Sequence, residues 1–187
     1  MIEFIEDIHT YLVEGVITPS VTQIINRILG NEYKSVPYSV LNEKADYGKK
    51  MHEWIENFCL TGEYLDYTPT MELSCNQAVN IIEKNKIRIK SCEEMVCYDD
   101  YYAGTYDLYG TVKGKKSLID IKTTAKYNKE YLEWQLGMYK LAVENSGGKV
   151  EKCYCLWLPK RDLGRLIDVE PKSKDDIIEM LEKLGGE

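Results

Sequence analysis

Residues Gly104–Thr124 read GTYDLYGTVKGKKSLIDIKTT. An apolar run ends at Val112, Lys113-Gly114-Lys115-Lys116 makes a turn, and Ser117-Leu118-Ile119-Asp120-Ile121-Lys122 follows. Glycine between two apolar runs signals a turn, and the second run alternates with period 2, so the stretch predicts a β-hairpin. Alternation places Leu118, Asp120 and Lys122 on one face and Ile119 and Ile121 on the other. An acid and a lysine thus stand side by side where a purely structural strand would carry apolar or solvated groups. Asp107 lies on the preceding strand, where hairpin pairing can bring it opposite. Two carboxylates and an ammonium converging on one sheet face suit a hard divalent cation with a phosphate beside it. An acid and a lysine two residues apart, taken alone, read as a surface ion pair, so the flanking sequence has to decide.

Upstream of the hairpin, Ile87 to Tyr98 reads as a strand closed by a tight Asp99-Asp100 turn. Met71 to Glu83 is helical, preceded by a loop over residues 63 to 70 that contains Pro69. Val40 to Leu60 is a longer helix, with Met51, His52, Ile55 and Phe58 along one stripe. A loop with Pro37 covers Tyr33 to Ser39. Before it, Ser20 or Thr18 caps a short helix that carries Val21, Ile24, Ile25, Ile28 and Leu29 and stops at Gly30. A strand pair is expected around Phe4 and Tyr11-Leu12-Val13, with Glu14-Gly15 as its turn. Downstream, Asn128 to Asn145 is a helix closed by Gly147-Gly148, and Val150 to Leu158 is an alternating strand ended by Pro159. Leu166 to Val169 is a further short strand, and Ser173 opens an amphipathic helix to Leu184.

The order implies an α/β fold with a central mixed sheet flanked by helices. It forms one domain over 1–187: a mainly helical part at 1–85, the sheet and helix carrying the site at 86–170, and a terminal helix at 171–187.

Charge sets limits on partners. The chain carries 24 Lys+Arg against 31 Asp+Glu, a net charge of −7, which argues against a passive nucleic-acid coat. An enzyme that grips phosphate through metal ions and a few local cations is not excluded. Those cations are uneven: Lys84, Lys86, Arg88 and Lys90 precede the hairpin, Lys113, Lys115 and Lys116 occupy its turn, and Lys160, Arg161 and Arg165 come later. Fifteen tyrosines offer faces for base stacking, although core and rim packing accounts for many of them. The six cysteines form no C-x-x-C pair and read as free, mostly buried thiols, with Cys153 and Cys155 on one strand face. The acidic opening MIEFIEDIHTY is unlike a secretory or transit peptide, and no apolar run suits a bilayer, so an intracellular, cytoplasmic protein is expected.

Several pieces of this sequence form a familiar set. Gly104 and Asp107 (G-x-x-D), Asp120 to Thr123 (D-I-K-T), and Gln135 with Tyr139 (Q-x-x-x-Y) resemble the PD-(D/E)xK nuclease superfamily, in its RecB-like and phage-exonuclease branch. Gly48-Lys49-Lys50-Met51-His52 resembles that branch's helical G-x-x-x-H motif, and Pro19-Ser20-Val21-Thr22 is similar to the opening of many members. The resemblance spans residues 18 to about 160.

It implies a restriction-endonuclease-like core and a set of roles. Asp107 and Asp120 resemble the metal-ligating carboxylates, with the carbonyl of Ile121 as a further ligand and Lys122 as the motif's lysine. Glu94 resembles the third acid, preferred over Glu93 because it shares a face with Val96 and Tyr98. His52 resembles the histidine that reaches the metal or the scissile phosphate. Gln135, Tyr139, Thr123 and Ser20 would position the lysine or contact DNA. His52-Glu53-Trp54-Ile55-Glu56 also begins like the H-E-x-x-H zinc helix, but a glutamate replaces the second histidine and no third ligand follows.

The resemblance therefore implies a deoxyribonuclease using one or two Mg²⁺ or Mn²⁺ ions, probing DNA ends or single-stranded DNA as an exonuclease of recombination, repair or phage replication. A bacterial or phage-infected cell would be its setting. The cysteine set of iron–sulfur members is missing, so no cluster is expected. With no helicase or P-loop sequence, duplex would need a helicase or recombination partner, and an oligomer is open. A structure-specific or nicking endonuclease, and a catalytically silent DNA- or protein-binding relative, remain as alternatives.

Overall fold

The Gly104–Thr124 stretch folds into the hairpin its pattern predicts, with a tighter turn. In the computed structural model, which describes residues 1–8, 10–30 and 38–185, β5 (Tyr102–Val112) and β6 (Lys115–Lys122) flank Lys113 and Gly114 alone. Both turn residues have positive φ, 50° and 82°. That is the hand of a two-residue turn that matches strand twist, and glycine takes its second position without strain. Lys115 and Lys116, expected in the turn, belong to β6.

Three more strands complete a sheet of order β4-β5-β6-β7-β8, with β4 at Arg88–Tyr98, β7 at Lys152–Trp157 and β8 at Arg165–Val169. All neighbours are antiparallel except β6 and β7, which run parallel. A parallel pair needs a crossover, and the helix α4 (Lys129–Asn145) supplies it. This is the mixed α/β sheet expected from the element order.

Helices cover both faces. On one lie α1 (Val21–Leu29), α4 and α5 (Lys174–Gly185), burying Ile24, Ile25, Leu136, Ala142 and Ile177 against Leu118, Cys153 and Cys155. On the other lie α2 (Tyr38–Thr61) and α3 (Glu72–Lys84), burying Met51, Trp54, Ile55, Ala78 and Ile82 against Leu108, Ile119, Ile121 and Leu156. The alternation in β6 is therefore used on both sides, Leu118 facing one core and Ile119 and Ile121 the other. Cys153 and Cys155 are buried on one face as packing residues, and all six cysteines are free thiols.

The N-terminal segment is a three-stranded sheet rather than a strand pair: β1 (Ile2–Ile5), β2 (Thr10–Val13) and β3 (Val16–Thr18). Val16-Ile17-Thr18 is too short a run to signal a strand alone, and it is stabilised by pairing to β2 across the Glu14-Gly15 turn. The loop expected over 33–39 lies outside the described residues up to 37, and 38 and 39 already belong to α2. Among the described residues no helix is long and apolar enough to cross a membrane.

Candidate active site

The strands part around Asp107. The β5–β6 ladder ends at Leu108↔Ile119, and the β4–β5 ladder steps from Cys92↔Leu108 to Glu94↔Tyr106, passing over Glu93 and Asp107. The Asp107 carboxylate takes the place of a ladder carbonyl: the Ile121 amide donates to its Oδ2 at 2.6 Å. Into this opening α2 delivers His52, seated between the buried anchors Met51 and Trp54–Ile55. Its Nε2 stands 3.2 Å from the Ile121 carbonyl oxygen. Its Nδ1 stands 3.7 Å from Asp107 Oδ1 and 3.8 Å from Glu93 Oε1. One ligand atom from each of His52, Glu93 and Asp107 falls within 4.8 Å of the others.

Asp120 lies deeper, 2% exposed, on the α4 side. Lys122 Nζ stands 2.8 Å from each of its carboxylate oxygens and donates to Oδ1, with a second bond at 3.2 Å to Gln135 Oε1. Oδ2 has the ion pair but no aligned hydrogen bond, and it is the one buried side-chain oxygen left so among the described residues. Tyr139, buried one turn beyond Gln135 and hydrogen-bonded to it, packs where Gly104 has no side chain. A Cβ on Gly104 would stand 2.8 Å from the Tyr139 ring. The G-x-x-D glycine is thus the space that lets the Q-x-x-x-Y tyrosine in. Thr123 closes the end of β6 against α2, its hydroxyl 3.5 Å from where a Gly48 Cβ would sit.

The charges are crowded. Burial and the Asp120 carboxylate push Asp107 up to about 6, against the pull of His52, Lys122 and the Ile121 amide. Burial opposes an imidazolium at His52, but Asp107, Glu93 and Asp120 outweigh it and push the group up to about 9. Burial likewise opposes the Lys122 ammonium, and Asp120 and Asp107 outweigh it, so the amine is held charged well above its ordinary range. A site that concentrates this many acids out of water has a physical use for a cation.

One expectation changes. Glu94 does not join the cluster; it accepts a hydrogen bond from the Tyr106 hydroxyl. Glu93 takes its place, because its φ of 48° puts it in the left-handed region and breaks the strand's alternation there. Cys92, before this break, packs on the α2–α3 core from which His52 comes, whereas Val96 and Tyr98, after it, pack on the opposite one. Ser20 lies at the start of α1. It caps α1, accepting from the Gln23 amide at 3.1 Å while Gln23 Oε1 accepts from the Ser20 amide.

Glu56 was missed. It lies one turn beyond His52 and is hydrogen-bonded to Glu93, and burial and the Glu93 charge push it up to about 7. The i, i+4 spacing from His52 was the signal that could have found it.

No protein-family model matches the chain, and no curated protein matches it. Among solved structures, a crystal structure of an alkaline exonuclease from Laribacter hongkongensis is similar at 14% identity and a TM-score of 0.45, covering 89% of this chain and 82% of that one. At that distance the chemistry has to be read from the side chains themselves.

Proposed function

We propose that the cluster is the active centre of a metal-dependent deoxyribonuclease that hydrolyses phosphodiester bonds, working as an exonuclease on DNA ends or single-stranded DNA. The observation that carries the reading is the convergence of His52, Glu93, Asp107 and Asp120 with the Lys122 ammonium where three strands part. The donor set fits Mg²⁺ or Mn²⁺. Carboxylate and carbonyl oxygens are what these hard ions prefer, and the buried Asp120 Oδ2 lacks a hydrogen bond. Asp107, Asp120, Glu93, the Ile121 carbonyl and His52 are the residues that would hold one or two ions. Such an ion, when bound, polarises a phosphoryl oxygen and lowers the pKa of a bound water.

The chain's own groups supply the rest. Lys122 holds its proton at Nζ beside Asp120, so it acts as a donor and charge for the phosphoryl oxygens rather than as a base. Gln135 fixes the rotamer of that lysine, and Tyr139 fixes Gln135. Glu56 and Glu93 share a hydrogen bond at the mouth, where a proton can be passed to solvent.

End-labelled linear DNA and a closed circle, incubated with Mg²⁺, Mn²⁺ or EDTA, test this beside Asp120→Asn and Lys122→Gln. Loss of linear DNA alone, only with metal and in neither variant, is the expected result. Cutting of the circle would make the enzyme an endonuclease, and no cleavage of any substrate with either metal would overturn the reading.

A further inference from the structure

A cavity of about 560 Å³ opens beside Lys122 and Gln135, between the C-terminal end of α1, α2 and the amino end of α4. Its size is within the roughly 300–1,000 Å³ of pockets that hold small ligands. Among the described residues its wall has three lysines, Lys44, Lys126 and the Asp120-paired Lys122, and no acidic residue. In a chain of net charge −7 that is a local reversal. The cavity at the other end of α4 is lined by Glu144, Glu151 and Glu170 as well as lysines.

Lys44 and Lys126 are exposed and have no acidic partner among the described residues. Two tyrosines, Tyr127 and Tyr131, are part of its lining. Tyr127, 38% exposed, stands edge-on to Trp157 at 5.3 Å, and Trp157 Nε1 is tied to the Thr124 carbonyl at 2.8 Å. The basic shelf continues outward through Trp157, with Arg165 over its ring.

We infer that this cavity and shelf hold an unpaired nucleic-acid strand on its way to the cluster, a nucleotide seated in the cavity with its base against Tyr127 and its phosphates against Lys44 and Lys126. The inference rests on the nuclease reading for its direction, since Lys122 and Gln135 belong to both sites, but the binding it describes needs no catalysis. Lysines without acids select a polyanion, and an aromatic face beside them selects one whose bases are exposed. A paired duplex is too wide to enter a cavity of this volume, so the occupant is a single strand.

The test is fluorescence anisotropy with labelled oligo-dT and with a blunt duplex of equal length, over a salt series, with EDTA present so that no metal-dependent cleavage intervenes. Lys126→Glu and Tyr127→Ala are compared with Lys174→Glu, which changes the charge equally at the far cavity. Thermal melts confirm that each variant folds. Oligo-dT affinity is expected to fall at least tenfold in both cavity variants and to hold in Lys174→Glu. The salt slope in Lys126→Glu should become shallower by about 0.7, the value of one phosphate contact on a single strand. Unchanged oligo-dT affinity in Lys126→Glu and Tyr127→Ala, or an equal loss in Lys174→Glu, would overturn it. A wild type that binds oligo-dT through these residues yet cleaves nothing with Mn²⁺ would keep the strand path and sink the nuclease.

Discussion

Asp107 has to carry its charge where burial and Asp120 both oppose it, and His52 answers with a proton of its own. The pH consequences have a definite sign. Asp107 is raised from 3.8 to about 6, so the native state binds more protons in that window and its contribution to stability declines as pH rises through it. His52 is raised from 6.5 to about 9, so its contribution is fully present below 6.5 and lost as pH rises through 9. The metal-free protein should therefore lose stability between pH 6.5 and 9, by on the order of 3 kcal/mol from His52 alone. Urea midpoints across that range measure it. His52→Gln should flatten the slope, and a slope that survives the substitution would assign it elsewhere.

Glu93 and Glu94 give a sharper residue-level contrast. Glu93→Gln is expected to reduce metal-dependent cleavage by about 10²–10³, the scale of losing one preorganised electrostatic group, while Glu94→Gln, which changes only the partner of Tyr106, should stay within about tenfold. The reverse order of the two variants in a Mn²⁺ cleavage assay would return the third acid to Glu94.

At the scale of elements, the hairpin was readable because its signals are local: a glycine turn, an alternating run, and acids that alternation must place on one side. Glu93 was not readable, since a left-handed glutamate leaves no mark in the sequence and the alternation rule fails at that residue. Glu56 was hidden for another reason. Its helix begins like a zinc motif that it does not complete, and the partner that gives Glu56 meaning lies on β4. The N-terminal third strand was missed because three residues carry too little pattern. Two glycines test the hairpin's geometry. Gly114→Ala meets no neighbour but sits at φ 82°, so it should cost about 1–2 kcal/mol of backbone strain. Gly110→Ala would put a Cβ 2.1 Å from the Arg88 carbonyl oxygen, beside the irregular pairing of Ile89 and Ser91. It should cost about 3 kcal/mol or more by forcing β4 and β5 apart. Denaturation midpoints rank them, and equal costs would mean that the β4 contact yields easily.

Across the whole molecule, the crowded acids are a reservoir that a cation can release. Mn²⁺ at a hundredfold its dissociation constant should stabilise the native state by about 2.7 kcal/mol and raise the melting temperature accordingly. Asp107→Asn should lose most of that gain while melting no lower than wild type in EDTA, because it removes a charge that the fold holds at a cost. A Mn²⁺ shift that is the same in Asp107→Asn would place the ion away from the cluster.

The path of the chain through the sheet also bears on how the protein is made. His52, Glu93, Asp107, Asp120 and Lys122 all precede α4, yet Gln135 and Tyr139 come from that crossover and the far edge of β6 is paired only by β7. A nascent chain on the ribosome thus exposes every charged group of the cluster while β6 is still an open edge, with Lys122 unsteered and Asp120 in water. The cluster reaches the arrangement described above only once α4 and β7 have joined β6, so its assembly waits until Trp157 has emerged.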